Sequence, residues 1–139
     1  MHVMHEPFVG TWLLVSQHNL YADGRREPSR GENPAGILIY DGSGNMAVQL
    51  LRTDARAGEF TDLADLRTAL EGCLAYFGRY TVDEAQRVVR HHVSGASYPA
   101  WRDTTLVRRY TFAGDTLTLE AASPAGDSTR VLVWRRAAG

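Results

Sequence analysis

The chain has 139 residues, 15 basic and 16 acidic, with a formal net charge of −1 and a mean hydropathy of −0.28. That is room for one domain with its own core, and the balanced charge argues against nucleic acid or an anionic membrane as partner, because both select a basic excess. A single cysteine, Cys73, excludes an internal disulfide and a thiolate metal cluster, and the absence of lysine excludes Schiff-base catalysis.

The apolar period is mostly two, so strands dominate. The first run is Phe8 to Tyr21, followed by a turn at Ala22-Asp23-Gly24. Arg25 to Pro34 is polar, holds Pro28, Gly31 and Pro34, and reads as a loop. Gly36 to Asp41 and Asn45 to Arg52 form a hairpin about Gly42-Ser43-Gly44. Thr53 to Phe60 is loop-like. The period then changes: Leu63, Leu66, Leu70, Cys73 and Leu74 fall on one helical face, and Thr61 or Asp62 can cap its start. Asp62 to Ala75 is therefore predicted as a helix packed on the sheet. Strands resume at Tyr76–Val82, Arg87–Ser94, Thr104–Phe112, Thr116–Ala121 and Thr129–Arg136. Gly95 to Asp103, with Pro99 and Trp101, is a structured loop.

Eight strands and one helix, the later strands at short spacing, predict an up-and-down β-barrel. Gly10-Thr11-Trp12 opens the first strand and Trp134-Arg135-Arg136 closes the last. An indole plugging one end, with a guanidinium stacked over it, suits a barrel closed upon itself. Residues 1–139 read as a single domain, with 1–7 as a frayed tail. Met1 to Pro7 has no apolar signal core and no stretch approaches transmembrane length, so a cytoplasmic location is expected.

Several blocks carry a family resemblance. They are Gly10-Thr11-Trp12-x-Leu14-Val15-Ser16, Pro34-x-Gly36-x-Leu38-x-Tyr40 and Met46-x-Val48-Gln49-Leu50, then Tyr76-Phe77-Gly78-x-Tyr80, His91-His92-Val93-x-Gly95 and Pro99-x-Trp101. Val107-Arg108-Arg109, Gly114-Asp115-x-Leu117-x-Leu119 and Leu132-Val133-Trp134 complete a series that spans nearly the whole chain. The chain resembles the small bacterial and fungal lipocalin-like domain family. The resemblance implies an all-β, eight-stranded antiparallel lipocalin-like barrel around a cavity for a small organic molecule. It implies no single activity, since related barrels include carriers and cofactor-free cyclases and isomerases of natural-product pathways.

Strand parity run from Trp12 sends Leu14, Ser16 and His18 inward. Leu38 and Tyr40 share one face against Ile37 and Ile39, and periodicity does not choose between the two sets. Met46, Val48 and Leu50 make the better inward set of their strand, which leaves Gln49 outside although the family pattern contains it. Tyr76, Gly78, Tyr80 and Val82 form the next inward face, then Val89, His91 and Val93, then Leu106, Arg108, Tyr110 and Phe112.

His91 is the candidate general acid–base, with an ordinary pKa of about 6.5 near working pH. Tyr76 and Tyr80 can share its proton or orient a substrate. Arg108 and Tyr110, two apart on one face, can grip a carboxylate or enolate; the competing reading pairs Arg108 with Glu120 at the rim. His91, Tyr80 and Arg108 are thus the catalytic candidates. His18, Tyr40, Met46, Val48, Tyr76, Trp101 and Tyr110 are the ligand-binding candidates. Tyr98-Pro99-Ala100-Trp101 can be a lid, a packing plug or a subunit contact. The five histidines are scattered and predict no metal site, and no nucleophile elbow, phosphate loop or dinucleotide fingerprint occurs.

The expected function is binding of a mostly apolar small molecule with one oxyanion or carbonyl end, without cofactor. Either the cavity catalyses isomerisation, cyclisation or dehydration, or it only carries the ligand. A third reading, an assembly module, requires an interior filled by side chains. Exposed strand faces can also pair two barrels into a homodimer.

Overall fold

In the computed structural model, which describes residues 6–54, 62–123 and 125–138, the alternation becomes an antiparallel sheet that closes on itself. The strands are β1 (Gly10–Tyr21), β2 (Arg26–Pro28), β3 (Ala35–Tyr40), β4 (Asn45–Leu51), β5 (Cys73–Asp83), β6 (Val88–Ala96), β7 (Thr105–Ala113), β8 (Thr116–Ala122) and β9 (Ser128–Arg136). Helix α1 (Leu63–Glu71) precedes β5, and a 3-10 turn (Pro99–Trp101) follows β6. β3 to β9 pair in chain order as a meander. β1 pairs with β3 through Gly10–Leu13 and with β9 along Trp12–Tyr21, so eight strands close a barrel. β2 lies in the polar stretch expected as loop and adds three residues to β1 opposite His18–Leu20. Most of the loop expected over Thr53 to Phe60, the Thr61 cap and residues 1–5 of the tail expected at 1–7 lie outside the described residues.

The barrel is closed at the end where β1 begins. Phe8, Trp12, Tyr40, Tyr80, Tyr110 and Phe112 pack there as an aromatic plug, with Phe8 at 4.8–5.4 Å edge-to-face from Tyr40, Tyr110 and Phe112. Such pairs contribute about 0.5–1.5 kcal/mol beyond the area they bury. Trp12 donates its indole N–H to the Phe8 carbonyl at 2.9 Å. Arg136 lies 4.2 Å over the Trp12 ring and donates to the carbonyls of Val9 and Pro7. Gly10 has φ +138°, and the Arg136 guanidinium fills the space a Cβ would occupy. A side chain there meets both backbone strain and a blocked site.

Two local expectations change. α1 ends at Gly72, whose N–H caps Thr68 and Leu70 carbonyls, so Cys73 and Leu74 belong to β5 rather than to a helix reaching Ala75. Its leucine stripe is not packed into the barrel: Leu63, Leu66 and Leu70 are 82%, 42% and 66% exposed. Nine residues held by the Asp62 cap, whose carboxylate accepts from Asp65 N–H at 2.8 Å, turn that face outward. The second change lies in β1. Leu14 pairs with Trp134 and Ser16 with Val133, so Val15 is an extra bulged residue. A bulge inverts the parity of everything after it. Ser16 and His18 therefore leave the inward set, and Gln17 becomes buried.

Candidate ligand cavity

Beyond the aromatic plug the barrel holds a cavity of about 190 Å³. Its wall is mostly aliphatic, with Leu38, Val48, Leu50, Leu74, Leu106, Leu119 and Leu132 facing one another across the barrel. Trp101, from the 3-10 turn, covers part of the wall and meets Tyr76 edge-on at 5.7 Å. The polar side chains are Gln17, Arg30, Tyr76, His91, Arg108, Arg130 and Trp134, and no aspartate or glutamate lines the cavity among the described residues.

At the inner end, His91 is 1% exposed and held between two phenols. Tyr40 Oη lies 2.6 Å from Nε2, and Tyr76 Oη 2.7 Å from Nδ1. Burial, then the nearby Arg108 and His92, lowers the His91 pKa to about 3, so the ring is neutral. Burial raises the pKa of Tyr40 and of Tyr76, with the Arg108 cation partly offsetting the latter.

At the outer end, Arg30 donates to Gln17 Oε1 at 3.0 Å and to the Gly72 carbonyl at 3.2 Å. Burial first, then the Arg130 charge, lowers the Arg30 pKa; burial first, then Arg108, lowers that of Arg130. Three guanidinium groups thus share a space that no carboxylate lines among the described residues. Arg130 Nε and the Trp134 indole N–H are buried without a partner among the described residues.

The catalytic and binding candidates divide between the two ends. His91, Arg108, Tyr76, Val48 and Trp101 line the cavity. Glu120 pairs with Arg109 at 3.2 Å on the outside, and Arg108 faces in. Tyr40 stands behind His91, buried and outside the lining. Met46, Tyr80 and Tyr110 point inward but sit in the core around the plug, and Tyr80 donates to the Asp41 carbonyl at 2.8 Å. Their strands run the full barrel, so two inward residues on one strand serve opposite ends. His18 lies on the outer side beside Ser16, Arg26 and Pro28, as the Val15 bulge requires.

Gln17, Arg30, Arg130 and Trp134 escape sequence reasoning. Arg130, Leu132 and Trp134 alternate along β9, a signal the sequence does carry. Gln17 depends on the bulge, and Arg30 lies in a polar stretch without periodicity. Among the described residues no three His, Cys, Asp or Glu converge as metal ligands, and no helix is long and apolar enough to cross a membrane.

An eight-stranded antiparallel barrel, plugged at one end and hollow at the other, defines a cavity-bearing barrel of the small-ligand class. The chain belongs to the lipocalin-like domain family, whose model matches residues 9–137. A relative in Aspergillus oryzae, the 4'-hydroxy-3'-methoxypropiophenone carrier protein ppsC, is 37% identical over 82 residues, covering 52% of this chain and 74% of the relative. Crystal structures of the fluorescent protein UnaG, a point mutant and the wild type, superpose with TM-scores of 0.47 and 0.44 at 18% and 20% identity. Each covers 96% of this chain, and 99% and 100% of the UnaG chains.

Proposed function

We propose that this barrel carries a compact, mostly apolar organic molecule, about one aromatic ring with short substituents, through an oxyanion or carbonyl end. The carrying observation is the cavity: about 190 Å³, aliphatic-walled, and furnished with Arg30, Arg108 and Arg130 but, among the described residues, no lining acid. An apolar cavity of about 150 Å³ is enough for benzene, so this volume favours one ring over a long acyl chain. An acceptor-bearing ligand also relieves the repulsion among the arginines and gives the unpartnered donors of Arg130 and Trp134 an acceptor. The relative from Aspergillus oryzae is named for carrying an aryl ketone, which fits a cavity of this size.

Carriage is favoured over catalysis by the state of His91. Both its ring nitrogens are occupied by phenols and its pKa is about 3, which makes it a weak base at neutral pH. The alternative, cofactor-free isomerisation or cyclisation in natural-product biosynthesis, requires Arg108 and Tyr76 to stabilise an enolate.

Calorimetric titration with 4'-hydroxy-3'-methoxypropiophenone and with palmitate separates these ligand classes. The ketone is expected to bind one to one and to be recovered unchanged after long incubation. Arg108→Gln is expected to weaken it by roughly 10-fold, the worth of one charge-assisted hydrogen bond. Binding of palmitate alone sinks the one-ring reading, and chemical conversion of the ketone sinks simple carriage.

A further inference from the structure

The phenol–imidazole–phenol array at the inner end of the cavity has a direction. A neutral imidazole offers one N–H donor and one bare nitrogen acceptor. Two arrangements are therefore open. In one, Tyr40 donates to Nε2 and the His91 Nδ1–H donates to Tyr76. In the other, Tyr76 donates to Nδ1 and the Nε2–H donates to Tyr40.

Burial decides between them. Tyr40 is 1% exposed, lies outside the cavity lining, and has His91 as its hydrogen-bond partner among the described residues. The second arrangement leaves the Tyr40 O–H buried without an acceptor, which carries the full desolvation penalty of that group. The first moves the free O–H to Tyr76, which lines the cavity, where a bound ligand or water can accept it. Tyr76 then accepts from His91, and Arg108, which also acts on that hydroxyl, has only donors to offer. The Tyr76 proton is left to point into the cavity that Tyr76 lines.

We infer that Tyr40, through His91, holds Tyr76 as an obligate hydrogen-bond donor, so that headgroup selection in the cavity is set partly by a residue that does not touch the ligand. Tyr40 and His91 are positioning residues, and Tyr76 is the contact. The chain of donors Tyr40 to His91 to Tyr76 polarises the last O–H. With the Trp134 indole N–H also buried in the same wall, without a partner among the described residues, the site presents donors and asks for an acceptor. It favours a carbonyl or oxyanion over an unfunctionalised chain. The inference rests on the cavity being a ligand site, but its first test does not.

That test is nitrogen NMR of the histidine side chains in the full chain without ligand, with His91→Gln identifying the resonances. The Nδ1–H tautomer of His91 is expected, and the Nε2–H tautomer overturns the inference. The second test compares propiophenone with propylbenzene, which share a carbon skeleton. The unaltered chain is expected to prefer the ketone. Tyr76→Phe is expected to reduce that preference roughly 3- to 10-fold, the range of one neutral hydrogen bond, with propylbenzene affinity kept. Tyr40→Phe is expected to reduce it as well, because His91 loses its bias and Tyr76 can turn back to Nδ1. An unchanged ketone preference in Tyr40→Phe overturns the directional coupling. Equal binding of both probes by the unaltered chain overturns the inference while the cavity reading stands. Binding of neither probe ends the cavity reading and the selectivity with it.

Discussion

His91 makes the acid behaviour of this protein predictable at the residue scale. Its folded pKa of about 3 lies below the ordinary 6.5. Between those values the unfolded chain holds more protons than the folded one, so stability rises with pH across that window. The contribution is complete above about pH 6.5 and is lost as pH falls toward 3, at on the order of 1 kcal/mol per pH unit. Urea midpoints measured from pH 7 to pH 4 should therefore fall more steeply for the unaltered chain than for His91→Gln. Equal slopes would show that His91 takes up its proton without unfolding. The sequence made His91 visible through its apolar neighbours Val89 and Val93. It did not show that both nitrogens are taken, since the Tyr40 and Tyr76 hydroxyls come from separate strands, β3 and β5.

Strand identity was legible because apolar residues recur at every second position along β4 to β7, while β3 is apolar on both faces. Facing was legible only where alternation is unbroken. One bulge at Val15 sends His18 out and Gln17 in, and no residue preference announces it. The helix misled for a different reason. Leucines at helical spacing signal burial only when something lies opposite, and Leu63, Leu66 and Leu70 face away from the core. Leu63→Gln should consequently change stability by less than about 0.5 kcal/mol, as surface positions do. Gly78 behaves in the opposite way. A Cβ there runs into the His92 carbonyl on β6, beside an irregularity in the β5–β6 ladder. Gly78→Ala should cost about 2–3 kcal/mol in chemical denaturation, because backbone rather than a side chain must move. A neutral result would mean that β5 and β6 separate easily.

The whole barrel divides into a plugged half and a hollow half, and a substitution in one should spare the other. Arg136→Ala removes the cover of Trp12 and two hydrogen bonds to the Pro7 and Val9 carbonyls. It should destabilise the fold by about 2–4 kcal/mol, read as a lower urea midpoint, while one-ring ligands bind as before. A matching loss of affinity at temperatures where the variant remains folded would show that the plug shapes the cavity. The arrangement has a kinetic side as well. The ring closes by pairing β1 with β9, the first and last strands of the barrel, more than a hundred positions apart at Trp12 and Arg136. A ribosome must release Arg136 before Trp12 can be covered, so a nascent chain carries an open sheet with two bare edges until β9 has emerged. Long-range closure of this kind folds slowly, and unpaired edges invite association with other chains. The barrel's most exposed moment therefore comes while its last strand is still inside the ribosome.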